Sequence, residues 1–194
     1  MHIKQDMVDF VISLLNNKIP DSYYYHNVEH TLYVMHNAVE IGKAEKCTEK
    51  EIELLKTAAL WHDTGYISTY NGHEEESCVL VQQYLPGYGY DADDISRICG
   101  MIMATKIPQS PKNKLEEIIA DADLAYLGTE QAAVLANNLF KELDALNLLL
   151  TKASWNKTEI SFLKNHHYFT AYCKQYRQQA KNDYLNLLIK QDLI

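Results

Sequence analysis

Four short stretches of the chain carry side chains that bind metal ions or move protons. The first is Tyr25-His26-Asn27-Val28-Glu29-His30-Thr31, in which His26 and His30 are four residues apart and share one face of a helix. The second is Trp61-His62-Asp63-Thr64-Gly65, where two adjacent metal-binding residue types close an apolar segment. Both reach one point if the helix unwinds there. The third is Asn71-Gly72-His73-Glu74-Glu75-Glu76-Ser77. The fourth is Asp121-Ala122-Asp123-Leu124, embedded between Ile118-Ile119-Ala120 and Ala125-Tyr126-Leu127. Carboxylates in such an apolar run are costly unless paired or metal-bound.

Each stretch also has a plainer use. Glu74 to Glu76 suit the solvated first turn of a helix, where the dipole favours negative charge. Asp121 suits a structural hydrogen-bond acceptor. The order along the chain is what points to chemistry: His-x-x-x-His, then His-Asp, then Asp-x-Asp. Imidazole and carboxylate donors suit Zn, Mn, Fe, Co, Ni or Mg, and the lack of a CxxC pair disfavours a thiolate zinc site. His26-Asn27-Val28-Glu29-His30 also fits the inverted zinc-protease pattern H-x-x-E-H, but that reading leaves His62-Asp63 and Asp121-Ala122-Asp123 without a purpose.

Positioning these residues is the work of helices. Apolar residues recur mostly at spacings of three and four, beginning with Met7, Phe10, Val11, Leu14 and Leu15. Further helices are expected over about 26–40, with Gly42 as a stop, and from the capping box Thr48-Glu49-Lys50-Glu51 onward, with Gly65 as terminator. Asn71-Gly72 is a turn signal before a fourth helix ending at Tyr84. Others are expected over 91–104, 115–123, 132–150, 160–165 and 169–189, the seventh of the whole series opening after Gly128-Thr129-Glu130 and the eighth after the weaker box Asn156-Lys157-Thr158-Glu159. The architecture expected is all-α, a single domain over 1–194 with about eight or nine helices.

Composition narrows the function. With 18 Lys+Arg against 26 Asp+Glu, the net charge is −8, which disfavours a protein that grips long nucleic acid by phosphate neutralisation. The apolar content of 47% is too high for disorder. No stretch approaches the roughly 18 apolar residues of a membrane span, and no basic-flanked leader is evident. Four scattered cysteines, Cys47, Cys78, Cys99 and Cys173, read as free thiols and suggest a cytoplasmic protein.

The sequence resembles the HD superfamily of metal-dependent phosphohydrolases, whose motif is a His, a later His-Asp dyad and a distant Asp that converge on a divalent metal in a helical domain. The matching positions are His30, His62-Asp63 and Asp123. The resemblance spans 23–128, leaving 129–194 as a C-terminal helical extension. It implies one or two divalent ions held by His30, His62, Asp63 and Asp123, with Asp63 also orienting the attacking water. His26, one turn before His30, suits protonation of the leaving group, and His73 suits the same pocket or a second metal. It also implies hydrolysis of a phosphoester or phosphoanhydride of a small molecule, with a nucleotide the leading choice. Lys106, His166, His167 and Arg177 are candidate phosphate or substrate contacts. A non-catalytic metal- or nucleotide-binding sensor is the alternative, and the C-terminal third is expected to shape the pocket or a contact between two copies.

Overall fold

The computed structural model describes residues 3–146 and 151–192. Among these residues it contains ten α-helices, three short 3-10 turns and no strand. Helix α1 (Gln5–Lys18) buries Met7, Val11 and Leu15, the stripe expected from their spacing. Helix α2 (Val28–Ala44) starts at the Asn27 cap, whose side chain accepts the His30 N–H at 3.1 Å. Helix α3 (Glu49–Trp61) opens with the expected capping box: the Glu51 N–H bonds to Thr48 Oγ1, and the Thr48 N–H donates to the Glu51 carboxylate. Helices α4 (His73–Tyr84), α5 (Ala92–Thr105) and α6 (Lys114–Asp123) follow. All six pack around one apolar core, with Leu54, Leu60, Trp61, Ile102 and Ile119 fully buried.

Two glycines expected to stop helices serve close packing instead. Gly42 lies inside α2, where a Cβ would sit 2.7 Å from Ile52 Cδ1 and 2.9 Å from Leu55 Cδ1, so its bareness lets α2 and α3 approach. Gly65 lies four residues beyond the end of α3, within the 3-10 turn Thr64–Ile67. A Cβ there would lie 2.0 Å from the His73 carbonyl oxygen, so only glycine lets α4 begin against that turn.

The C-terminal part forms α7 (Ala132–Ala145), α8 (Lys152–Asn165), α9 (Ala171–Tyr176) and α10 (Gln178–Asp192). The end of the expected helix over 132–150 falls at 147–150, outside the described residues. Helix α8 starts earlier than its expected box, because Thr151 and Ser154 cap each other while Thr158 sits inside the helix and donates to the Ser154 carbonyl at 3.1 Å. The expected single helix over 169–189 is two. Asp121 accepts the N–H groups of Phe169 and Thr170, both at 2.9 Å, and the Thr170 hydroxyl at 2.6 Å, which fixes the start of α9; the chain then breaks at Arg177. A second apolar cluster, including Leu124, Leu127, Ala136, Leu163 and Leu188, seats α7, α8 and α10 on the 3-10 turn Ala125–Gly128. The four cysteines are free. No helix among the described residues is long and apolar enough to cross a membrane.

Gly128 is the tightest point of this seam, because a Cβ would lie 2.5 Å from the Arg177 carbonyl oxygen and 2.8 Å from its Cα. Backbone cannot yield as a side chain does. Gly128→Ala is therefore expected to lower stability by about 1–3 kcal/mol, read as a lower urea midpoint at unchanged slope.

Candidate metal centre

Three breaks in regular helix bring the ligand-type side chains together. His30 sits in the first turn of α2, its backbone N–H tied to Asn27 and its ring tilted against Tyr25. Helix α3 ends at Trp61, so His62 and Asp63 follow on a bending chain rather than 100° apart on a straight one. Ser77 of α4 locks that bend: its hydroxyl donates to the His62 carbonyl at 2.7 Å and accepts the Gly65 N–H at 2.8 Å. Asp123 is the last residue of α6.

Four atoms converge. His30 Nε2 lies 3.3 Å from His62 Nε2, 3.1 Å from Asp123 Oδ1 and 3.4 Å from Asp63 Oδ2. His62 Nε2 lies 3.1 Å from Asp63 Oδ2 and 3.6 Å from Asp123 Oδ1. Donors about 2.1 Å from a shared ion stand about 3.0 Å apart at a right angle and about 3.4 Å apart at the tetrahedral angle. The ligand atoms of His30, His62 and Asp123 all lie within 4.8 Å of one another, close enough to share one ion. His62 Nδ1 is 2.8 Å from the Ala59 carbonyl oxygen, so it carries the hydrogen and Nε2 presents a lone pair to the cluster.

The donor set fits a divalent cation. Asp63 Oδ2 is buried and has no hydrogen-bond partner among the described residues, a costly state that an ion in the cluster removes. Burial pushes the Asp63 carboxyl up, but the charge of His62 and the neighbouring His26 and His30 outweigh it and hold it well below the usual carboxylate range. Asp123 behaves likewise through His30 and His62. Burial pushes the His62 imidazole down, yet Asp63 and Asp123 raise it well above its ordinary value. Without an ion the two carboxylates thus hold a proton on the His62 imidazole, and a cation bound at the centre would take the place of that proton and free the His62 Nε2 lone pair.

The site opens on a cavity of about 460 Å³ whose walls include Asp63, Asp123, His26 and His73. His73, the first residue of α4, places Nε2 3.5 Å from Asp63 Oδ1 and 3.6 Å from Glu74 Oε1, with its ring stacked on Tyr66. His26 and His30 do not share a helix face, because α2 begins after His26; the chain nevertheless folds their rings to within 5.8 Å. His26 Nδ1 bonds to the carboxylate of Glu142 from α7, and its Nε2 lies 3.1 Å from the Tyr66 hydroxyl. Glu142 is fully buried and also accepts the N–H groups of Tyr25 (2.8 Å) and His26 (2.9 Å) and the Tyr70 hydroxyl (3.2 Å). Sequence reading missed Glu142, since it lies 116 residues from His26 in a stretch that resembles the polar side of any amphipathic helix.

Other candidates stand elsewhere. Lys106 lines the cavity at its exposed rim, but its ammonium pairs with Glu75. His166 and His167 line a neighbouring cavity of about 280 Å³ that shares the walls Ile107, Leu124 and Phe162 with the first. Arg177 is not brought to the ligand cluster; it reaches back to Glu40 of α2 at 3.3 Å. Asp121 does not face the cluster either, being the cap of α9.

The HD domain family model matches residues 27–125. No curated protein matches the chain. Among solved structures, it is similar to the crystal structure of a predicted HD superfamily hydrolase from an uncultured Thermotogales bacterium, with 21% identity, a TM-score of 0.61, and coverage of 95% of this chain and 90% of that one.

His62→Ala and Asp63→Ala are each expected to abolish stoichiometric divalent-ion binding in calorimetry while leaving far-UV circular dichroism nearly unchanged. Retained binding in both would remove the cluster from consideration. A second expectation concerns acid. Burial, then Lys181 and His167, hold His166 down at about 3. The unfolded imidazole takes its proton near pH 6.5, so the folded state loses stability as pH falls from about 6.5 toward 3. His166→Gln should flatten that part of the urea midpoint against pH curve.

Proposed function

Because the chain belongs to the HD domain family, and its ligand cluster opens directly on a cavity, we propose that it is a metal-dependent phosphohydrolase acting on a small phosphorylated molecule, with a nucleotide as the leading class. The observation that carries this reading is the convergence of the ligand atoms of His30, His62, Asp63 and Asp123, with no hydrogen bond made by the buried Asp63 Oδ2. A divalent ion held there supplies Lewis acidity to phosphoryl oxygens and lowers the pKa of water. The four free cysteines accord with a cytoplasmic setting.

The chain's own residues divide the remaining work. Asp63 Oδ1, on the His73 side of the carboxylate, accepts a hydrogen bond from the attacking water and orients it toward phosphorus. His73 steadies that carboxylate. His26 serves as the general acid: as the P–O bond to the leaving group breaks, its imidazolium delivers a proton to the departing oxygen. Burial pushes the His26 imidazole down, but the Glu142 hydrogen bond and, without an ion, the charges of Asp63, Glu142 and Asp123 raise it above its ordinary value; the Glu142 contribution is the one that remains once Asp63 and Asp123 hold a cation. Glu142 therefore acts as a positioning residue that orients the ring and sustains its charge. Tyr66 and Tyr70 pack around the pair and limit water.

The deciding experiment is release of inorganic phosphate from a panel of phosphomonoesters, cyclic phosphodiesters and pyrophosphates by protein loaded with each first-row divalent ion. Turnover is expected from at least one class and should vanish in Asp63→Ala. Metal binding without any turnover would favour the non-catalytic sensor instead. Glu142→Gln should lower kcat about 10–100-fold with little change in KM. Activity requires His26 protonated and is lost as pH rises through its pKa. Removing the Glu142 charge lowers that pKa, so the basic limb of the profile should move to lower pH.

A further inference from the structure

The cavity has two unlike ends. One end is the metal cluster. The other is built by α7 and α8 and walled by Leu127, Leu139, Leu143, Trp155 and Phe162. Into this apolar end projects one acid, Glu159 of α8. It is only 7% exposed, and what remains exposed lines the cavity. The Tyr184 hydroxyl donates to its Oε1. Among the described residues nothing donates to Oε2, and no Lys, Arg or His lies within ion-pair reach of the carboxylate. Glu159 itself lines the cavity, so a molecule held there adjoins this residue.

Charge on the walls restricts what enters. Lys106 is the one Lys or Arg among the described lining residues, and Glu75 holds it at the rim. The walls thus offer no row of cations for a polyphosphate, and positive charge is concentrated where the ion is held. A molecule that fits places a single phosphoryl group at the cluster and a largely apolar body against the wall that includes Leu139, Leu143, Trp155 and Phe162. It must also satisfy an anionic oxygen in apolar surroundings. Burial pushes the Glu159 carboxyl up from its ordinary value, with Tyr184 and then Lys152 opposing; a donor on the substrate relieves that strain on the charge.

We propose that Glu159 is a specificity-determining residue whose Oε2 accepts a hydrogen bond from an N–H group on the substrate's organic body, so that the substrate is a phosphomonoester of an amino-bearing, largely apolar ring. A nucleoside monophosphate with an exocyclic amine has this chemistry. The inference rests on the phosphohydrolase reading for the placement of the phosphate. A site built to hydrogen-bond a donor rejects the analogue lacking it, because its own polar group is then left unpaired.

The test uses adenosine 5′-monophosphate and purine riboside 5′-monophosphate, which differ only in the 6-amino group. Each is assayed for binding by calorimetry and for phosphate release, with wild type and with Glu159→Gln. The glutamine keeps an oxygen for Tyr184 and turns an amide N–H toward the cavity. Wild type is expected to favour the amino compound by about tenfold or more, and the variant to bring that ratio near one. Equal handling of the two by wild type, binding of neither, or a ratio unchanged in the variant overturns the proposal. Amine-dependent binding without phosphate release from any ester would overturn the hydrolase reading and leave Glu159 in its role. Phosphate release with no dependence on the amine would do the reverse.

Discussion

Two imidazoles and two carboxylates pressed into one buried pocket are untenable without positive charge between them, and much of the architecture answers to that constraint. His30, His62 and Asp63 are almost wholly withdrawn from water, and Asp63 Oδ2 has no hydrogen-bond partner among the described residues, only the two imidazoles at ion-pair distance. In an apolar interior such a group costs more than a typical hydrogen bond returns. The arrangement persists because the backbone around it is fixed from several sides. Asn27 caps α2 beneath His30, the Ala59 carbonyl orients His62, and Ser77 ties the bend after α3 to α4. An ion bound there would relieve a site that is otherwise held in a poor state.

Close backbone approach is the second requirement, and glycine provides it. At Gly65 a single methyl group would collide with the His73 carbonyl, and the start of α4 would have to move away from Asp63. At Gly128 the same constraint governs how the C-terminal helices seat on the turn that follows Asp123. The two positions flank the metal-ligand segments, so packing against backbone and placement of ligands are one problem rather than two.

Residues after Gly128 complete the site. Glu142 reaches across 116 residues to hold His26, and α8 supplies the apolar end of the cavity together with Glu159. The net charge of −8 is consistent with this division. An acidic chain cannot draw in a phosphate through its overall field. Under the proposed function attraction would have to be local, and the cluster able to hold a cation lies beside walls with almost no cationic side chains.

By itself the sequence determined the all-helical class, the positions of most helices and the four ligand-type segments. These are local properties: apolar spacing, the capping box at Thr48, and His or Asp at fixed offsets. The likeness to the HD domain was legible for the same reason, since its motif lies within short windows. Helix ends were less legible. Gly42 and Gly65 read as stops, yet neighbouring helices rather than φ preferences require them, and Asp121 decides where α9 begins from 48 residues away. Only the tertiary structure decided that Arg177 pairs with Glu40, that Lys106 pairs with Glu75, and that His166 contacts Lys181 and lines the neighbouring cavity. It alone revealed Glu142 and Glu159, because an acid on an amphipathic helix reads as solvated until another element covers it. Covering is a long-range event that no local pattern encodes.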